Sequence, residues 1–128
     1  MSQVDEHPLP EHPEPLTTEE AIRQTAQWLR GVDRLQDVTL ELAARQAYVS
    51  QFHFCRQFRR VLGTNFKKYL NDLRMERAQE LLRTTAFPIT KVATLAGFND
   101  LSYFERVFRR HCGERPSEYR VRVGRPVA

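Results

Sequence analysis

The 128-residue sequence predicts an all-α chain of seven helices, arranged as two helix-turn-helix subdomains joined by a long linking helix. Three observations predict it. Apolar residues recur at steps of three and four through most of the chain. Helix-starting and helix-stopping residues punctuate that pattern at regular intervals. And one pattern occurs twice: Phe54, Arg56, Phe58, Arg59, Arg60, Gly63 and Tyr69 return fifty residues later as Phe104, Arg106, Phe108, Arg109, Arg110, Gly113 and Tyr119. Seven identities at one offset mark an internal duplication of one helical unit.

The elements follow in order. Residues 1–16 hold four prolines and little apolar matter, so they cannot bury enough surface to offset the entropy of ordering and are expected to be a disordered tail. Thr17 and Glu20 form a capping box that opens a first helix, carried to about Arg30 by Ile22, Ala26 and Leu29 with Trp28 beside them; Gly31 stops it. Thr39 caps a short second helix with Leu40, Ala43 and Ala44 inward. A turn at Ala47, Tyr48 and Val49 follows, and Ser50 caps a third helix to about Leu62. Two short helices across a tight turn are the helix-turn-helix pattern.

Phe66, Tyr69, Leu70, Leu73, Ala78, Leu81 and Leu82 give the linking helix over 66–83, roughly 27 Å long, and Pro88 prevents its continuation. Then the unit repeats. Ile89, Val92 and Ala93 mirror Leu40, Ala43 and Ala44, Gly97 stands at the turn, Asp100 caps a sixth helix to about His111, and Pro116 opens a last helix to about Arg122. The expected organisation is a tail at 1–16, a first subdomain at 17–65, the linking helix at 66–83, a second subdomain at 84–122 and a frayed end at 123–128.

Charge divides the chain. Residues 1–31 carry −4, whereas residues 32–128 hold 18 basic and 10 acidic residues, leaving +8. A basic domain favours a polyanionic partner, with a merely solubilising surface as the plain alternative. No apolar run approaches the length of a membrane span, and the acidic, proline-rich start has no apolar core of the kind a signal peptide needs. Cys55 and Cys112 lack metal-binding spacing and read as reduced thiols of a cytoplasmic protein. His7 and His12 in the tail are too few to hold a metal, and no cofactor or metal site is expected.

At 100° per residue, with Phe54 setting the core direction, Phe58 and Val61 fall inward, and Phe52, Arg56 and Arg59 fall opposite, flanked by Cys55 and Arg60. The sixth helix repeats this, with Phe104, Phe108 and His111 inward and Ser102, Arg106 and Arg109 outward, flanked by Glu105 and Arg110. Such a face suits the major groove of double-stranded DNA: Arg56 and Arg106, mid-helix, for guanine edges, and Arg59, Arg60, Arg109 and Arg110 for phosphates, with Ser50 at the helix start among them. A solvated amphipathic face is the alternative, and duplication of the whole pattern weighs against it. An exposed Phe52 has no folding purpose; contact with a thymine methyl would supply one, and an ordinary exposed aromatic is the alternative. Glu105 could accept from cytosine N4 or orient Arg106, and Cys55 is either a weak base contact or a bystander.

Four motifs carry a resemblance: Leu-Arg-Met-Glu-Arg-Ala-Gln-Glu-Leu-Leu at 73–82, Val-Ala-x-x-Ala-Gly-Phe at 92–98, Ser-Tyr-Phe-x-Arg-x-Phe-Arg-Arg at 102–110 and Gly-x-x-Pro-Ser-Glu-Tyr-Arg at 113–120. They resemble the DNA-binding region of the AraC/XylS family of bacterial transcription regulators, over about residues 18–122. The resemblance implies two homeodomain-like helix-turn-helix units with the third and sixth helices as recognition helices. Carried over position by position, Phe52, Cys55 and Arg56 match the family's base-reading positions in the first unit, and Ser102, Glu105 and Arg106 those in the second. It also implies a regulator, an activator by family habit with RNA polymerase as a further partner, working in the bacterial cytoplasm at the nucleoid. The chain resembles the small standalone members or an isolated DNA-binding region. One departure stands out: Tyr48 occupies a turn position where the family usually has glycine, so a reshaped first turn is expected.

The two unlike outward faces predict an asymmetric operator bound by one chain, with the two helices in successive major grooves. Two other readings compete. A repair factor that carries such a unit would need a zinc-bound cysteine cluster, which two distant cysteines cannot supply, and no catalytic Ser/His/Asp or paired-carboxylate spacing is present. A helical protein-interaction module would show no salt-dependent DNA binding.

Overall fold

The computed structural model describes residues 17–124, so the tail with His7 and His12, and residues 125–128, lie outside the described residues. The described chain is helical throughout: α1 (Thr18–Arg30), α2 (Leu40–Gln46), α3 (Gln51–Leu62), α4 (Phe66–Thr84), α5 (Ile89–Leu95), α6 (Leu101–Cys112) and α7 (Pro116–Val123), with a short 3-10 turn at Leu35–Asp37. No helix among the described residues is long and apolar enough to cross a membrane.

The helix starts are where the capping residues place them. Thr17 Oγ1 accepts from the Glu20 N–H at 3.0 Å while Glu20 Oε1 accepts from the Thr17 N–H at 3.3 Å. Thr39 Oγ1 accepts from the Leu42 N–H at 3.0 Å, and Ser50 Oγ from the His53 N–H at 3.2 Å. Asp100 Oδ1 accepts from the N–H groups of Ser102 (2.9 Å) and Tyr103 (3.4 Å). Each bond satisfies an amide that the first turn of a helix leaves without a partner. At the other end of the chain α7 runs through Val123, and Gly124 closes it in the left-handed conformation with its N–H on Arg120 O at 2.9 Å.

The chain packs into two compact units. One comprises residues 17–31 and 39–66; the other comprises 32–38 and the described residues from 67 onward. In the first, α1 supplies Ile22, Ala26 and Leu29, α2 supplies Ala43 and Ala44, and α3 supplies Phe54 and Phe58, all buried. Phe66 completes a cluster of rings, its centroid 5.4 Å from Phe54 and 5.6 Å from Phe58 with both contacts edge-to-face. The second unit buries Met75, Ala78, Leu82, Val92, Ala93, Phe98, Phe104, Val107, Phe108 and Tyr119 together. Tyr119 plays the third-ring part there, 5.5 Å from Phe108 at 74°.

The segment Val32–Val38 lies early in the chain but belongs to the second unit. Two arginines of α4 hold it. Arg77 donates to Val32 O (2.8 Å) and Asp33 O (3.0 Å), and Arg74 donates to Leu35 O at 3.0 Å. Leu35 and Val38 are buried, Leu35 beneath Gly97. A third arginine, Arg120 of α7, donates to three carbonyls: Leu82 O (3.2 Å), Thr85 O (3.1 Å) and Phe87 O (2.7 Å). These are carbonyls at and beyond the end of α4 that no helical bond could satisfy.

The two helix-turn-helix turns are alike despite their different residues. Val49 N–H donates to Ala44 O at 3.1 Å, and Phe98 N–H to Ala93 O at 2.9 Å. Tyr48 has φ 62° where Gly97 has φ 106°. The first turn is thus not reshaped: Tyr48 adopts the glycine-like backbone itself, with its side chain half exposed. The turn bond and the burial of Ala44 and Ala47 on either side set the backbone, and the strain of a side chain at positive φ stays local.

Leu35→Ala should lower stability by about 2–5 kcal/mol. The loss should appear in hydrogen exchange as faster opening of α5 and α6, with α1 and α3 retaining more protection. The turn residues should respond in opposite ways. Tyr48→Gly relieves positive-φ strain and should leave stability unchanged or raise it, by at most about 1 kcal/mol once the entropy of glycine is counted. Gly97→Ala should lower it, because a Cβ there would lie 2.8 Å from Arg74 Nε and 3.1 Å from Leu35 Cβ.

Candidate nucleic-acid interface

Helix α3 buries Phe54 and Phe58 and exposes Phe52, Cys55, Arg56, Arg59 and Arg60. Helix α6 buries Phe104, Val107 and Phe108 and exposes Ser102, Glu105, Arg106, Arg109 and Arg110. Every side chain named from sequence for a base or phosphate contact is therefore on an outward face, together with Ser50 at the start of α3.

The inward assignments need two corrections. His111 was expected to face the core but is exposed, with Nδ1 3.9 Å from Asp72 Oδ1. Val61, its counterpart in the first unit, is only half-buried. Both have the right direction around the helix axis, but both sit in the last helical turn, past the depth of the core. Angular position sets direction; the partner helices set depth.

The arginines divide into two groups. Arg74, Arg77 and Arg120 face backbone carbonyls, and burial pushes the Arg74 guanidinium below its ordinary value without discharging it. Many other basic groups are paired with carboxylates: Arg23 with Glu19, Arg34 with Asp37, Arg45 with Glu41, Lys68 with Asp72 and Arg122 with Glu114. Arg56, Arg59, Arg106, Arg109 and Arg110 form no ion pair among the described residues. Arg60 donates to Gln57 Oε1 at 2.7 Å, a neutral acceptor, so it too keeps its charge uncompensated. Unpaired positive charge is thus gathered on the outward faces of α3 and α6, where it can meet an anion without first breaking an ion pair.

The mid-helix arginines each lie against an aromatic ring. The Arg56 guanidinium carbon is 5.5 Å from the Phe52 ring centroid, and that of Arg106 is 5.5 Å from Tyr103. The rings differ. Phe52 is 72% exposed, whereas Tyr103 is half-buried and lies tilted against Phe98 at 6.0 Å, which in turn carries Arg74 at 6.0 Å. Tyr103 was not singled out from the sequence. The spacing of an aromatic three residues before an arginine was the available signal.

The helix starts differ as well. Ser50 uses its oxygen as the cap, and its hydroxyl proton remains able to donate to an anion; Asp100, at the matching place before α6, is acceptor-only when ionised. Among the described residues, no group of three or more His, Cys, Asp or Glu is placed to hold a metal ion.

The two thiols are unequal. Cys55 is exposed, while Cys112 is half-buried beside Gln79, whose Nε2 lies 3.1 Å from its sulfur. Burial pushes the Cys112 thiol up, so less of it is thiolate near neutrality. A disulfide-exchange reagent should therefore label the native protein in two phases, Cys55 first. The Cys112 phase should accelerate as pH rises, and Cys55→Ser should remove only the fast phase.

The chain is similar to known proteins over most of its described length. A family model described as "Helix-turn-helix domain" matches residues 43–122. The ornithine utilization regulator of Pseudomonas aeruginosa is 42% identical over 81 residues, which cover 63% of this chain and 24% of the regulator. The arabinose operon regulatory protein of Escherichia coli is 34% identical over 102 residues, 78% of this chain and 34% of that protein. This chain thus spans about a quarter to a third of the length of these curated relatives. Among solved structures, the DNA-binding domain of the transcriptional factor AdpA, in complex with a target DNA, superposes with a TM-score of 0.73 at 28% identity, covering 80% of this chain and 91% of that one. With its duplicated turns, its outward arginines and a family match across more than half its length, the chain belongs to the AraC-type family of helix-turn-helix DNA-binding regions.

Proposed function

We propose that this chain binds double-stranded DNA at specific sequences, as the DNA-binding region of a transcription regulator, with α3 and α6 as recognition helices. The observation that carries the reading is the gathering of unpaired arginines on two duplicated outward faces, while many other basic groups are spent on carbonyls or carboxylates. Phe52, Cys55 and Arg56 on α3, and Ser102, Glu105 and Arg106 on α6, face base edges; Ser50, Arg59, Arg60, Arg109 and Arg110 meet phosphates. The two sets differ at each matched place except the arginine, so the operator is asymmetric and one chain suffices to occupy it. The sense of regulation is activation, with RNA polymerase as the second partner, in the cytoplasm at the nucleoid. The names of the relatives, a utilization regulator and an operon regulatory protein, support the regulatory part of that setting.

The test begins by selecting bound sites from random duplex DNA. Arg56→Ala and Arg106→Ala should each cost about 1–3 kcal/mol on the selected site and relax the preference at one base position. Arg59→Ala and Arg109→Ala should weaken selected and random DNA alike and flatten the dependence of affinity on salt by about one unit of slope. Tyr103→Leu removes the surface on which Arg106 rests, so it should reproduce the Arg106 effect in weaker form at the same base position. Equal losses on selected and random DNA for Arg56→Ala and Arg106→Ala would overturn the base-reading assignment.

A further inference from the structure

Acidic and basic residues are segregated along this chain in a way the net charge conceals. Residues 1–16 hold Asp5, Glu6, Glu11 and Glu14 and no lysine or arginine, a formal charge of −4 with histidines counted neutral. Residues 46–71, which contain α3, hold no aspartate or glutamate and carry Arg56, Arg59, Arg60, Lys67 and Lys68. Helix α6 is different: Glu105 stands on its outward face, Asp100 caps its start and Glu114 follows its end. The arginines of α6 thus have carboxylates near them in the chain, and those of α3 have none.

The first unit sharpens the contrast. Arg23 and Arg45 are each paired with a carboxylate one turn away, Glu19 and Glu41. Arg56 and Arg59 form no ion pair among the described residues, and Arg60 meets the neutral amide of Gln57. These three stand at steps of three and four, so they are neighbours on one exposed face, where like charges repel. An anion laid along them relieves that repulsion. Residues 1–16 join this unit at Thr17, the cap of α1, and α1 packs against α3. Reach is ample: the chain from Asp5 to Thr17 can extend to about 40 Å, against roughly 18 Å for the whole of α3.

We propose that residues 1–16 are an intramolecular anion for the outward face of α3, occupying Arg56, Arg59 and Arg60 in the free protein and giving way to DNA. Attachment makes a weak contact count, because a tethered segment acts at an effective concentration on the order of millimolar. DNA must displace the segment, so apparent affinity falls in proportion to the time the face is occupied. Exchanging one anion for another also makes binding less dependent on salt than filling an open face. The effect on DNA rests on the DNA-binding reading; the contact itself does not.

The experiment uses the full chain and a variant of equal length in which Asp5→Asn, Glu6→Gln, Glu11→Gln and Glu14→Gln remove the four charges. In isotope-labelled protein without DNA, arginine Nε–Hε signals are compared by NMR at about 10 mM and about 1 M salt, where charges act over about 30 Å and about 3 Å. At low salt the signals of Arg56, Arg59 and Arg60 should differ between the two proteins, and at high salt they should coincide; those of Arg23 and Arg45 should not move. On a random duplex, read by fluorescence anisotropy, the variant should bind about threefold to tenfold more tightly at low salt, as for a face occupied about two thirds to nine tenths of the time, and with a steeper salt slope. Identical signals at low salt, changes at Arg23 and Arg45 as large as those on α3, or changes confined to Arg106, Arg109 and Arg110 overturn the proposal. So does tighter binding by the variant with no change at the α3 arginines, since an undocked acidic segment repels DNA at a distance. Equal affinities despite a change at those arginines overturn the competition with DNA. If the signals respond and neither protein binds the duplex, the contact stands and the DNA-binding reading falls.

Discussion

Burial of two phenylalanines one turn apart, Phe54 with Phe58 and Phe104 with Phe108, is the constraint on which the two recognition faces depend. Their centroids lie 5.4 and 5.7 Å apart, and each pair meets a third ring, Phe66 or Tyr119. Taking such rings from water contributes several kcal/mol per unit, more than any surface contact of the helices can oppose. Once they point inward, the helical repeat leaves no choice for the residues between them. Arg56 and Arg106 must point out, and Arg59, Arg60, Arg109 and Arg110 must follow on the next turn. The apolar core thus aims the polar face.

The same side-chain chemistry serves two purposes in this protein. An arginine fork matches any planar arrangement of oxygens. Arg74, Arg77 and Arg120 use it inwardly, on carbonyls that helix ends and connections leave without partners, and Arg120 alone satisfies three. Removing one of these would leave between one and three carbonyls without their partner, so they are parts of the framework. On α3 and α6 only Arg60 engages a neighbouring oxygen, the neutral amide of Gln57, and the outward arginines remain open to a ligand. Net charge alone does not separate the two groups, because both contribute equally to the basic total.

Rigidity is also distributed unevenly between the units. Arg106 rests on Tyr103, Tyr103 on Phe98, and Phe98 beneath Arg74, a stack that runs from the outward face of α6 to the clasp on Leu35. Arg56 rests only on Phe52, itself exposed. One arginine is therefore oriented before any ligand arrives, and the other forms an adaptable pair with its neighbour. Preorganisation lowers the ordering cost of a contact, whereas an adaptable pair can add apolar contact of its own.

The sequence by itself determined the helices, their caps, the duplication and the direction in which each side chain points, because all of these are local. A cap needs residues three apart, a face needs the helical repeat, and a repeat needs only comparison of the chain with itself. That is why the outward sets on α3 and α6, and the positive φ at Gly97, were legible, whereas the positive φ at Tyr48 was not: the turn around it holds a backbone that the residue itself disfavours. Depth, and partners distant in sequence, were decided by the tertiary structure. Whether His111 and Val61 reach the core depends on where neighbouring helices end, and both fall short of it. Met75 is fully buried although the apolar spacing along α4 did not mark it, since burial there comes from α5 and α6. Leu35 packs with a unit whose other residues begin at 67, and the arginines that hold this segment stand 39 to 45 positions away. No local pattern encodes such a pairing, because it exists only when the chain has closed the loops that bring those residues together.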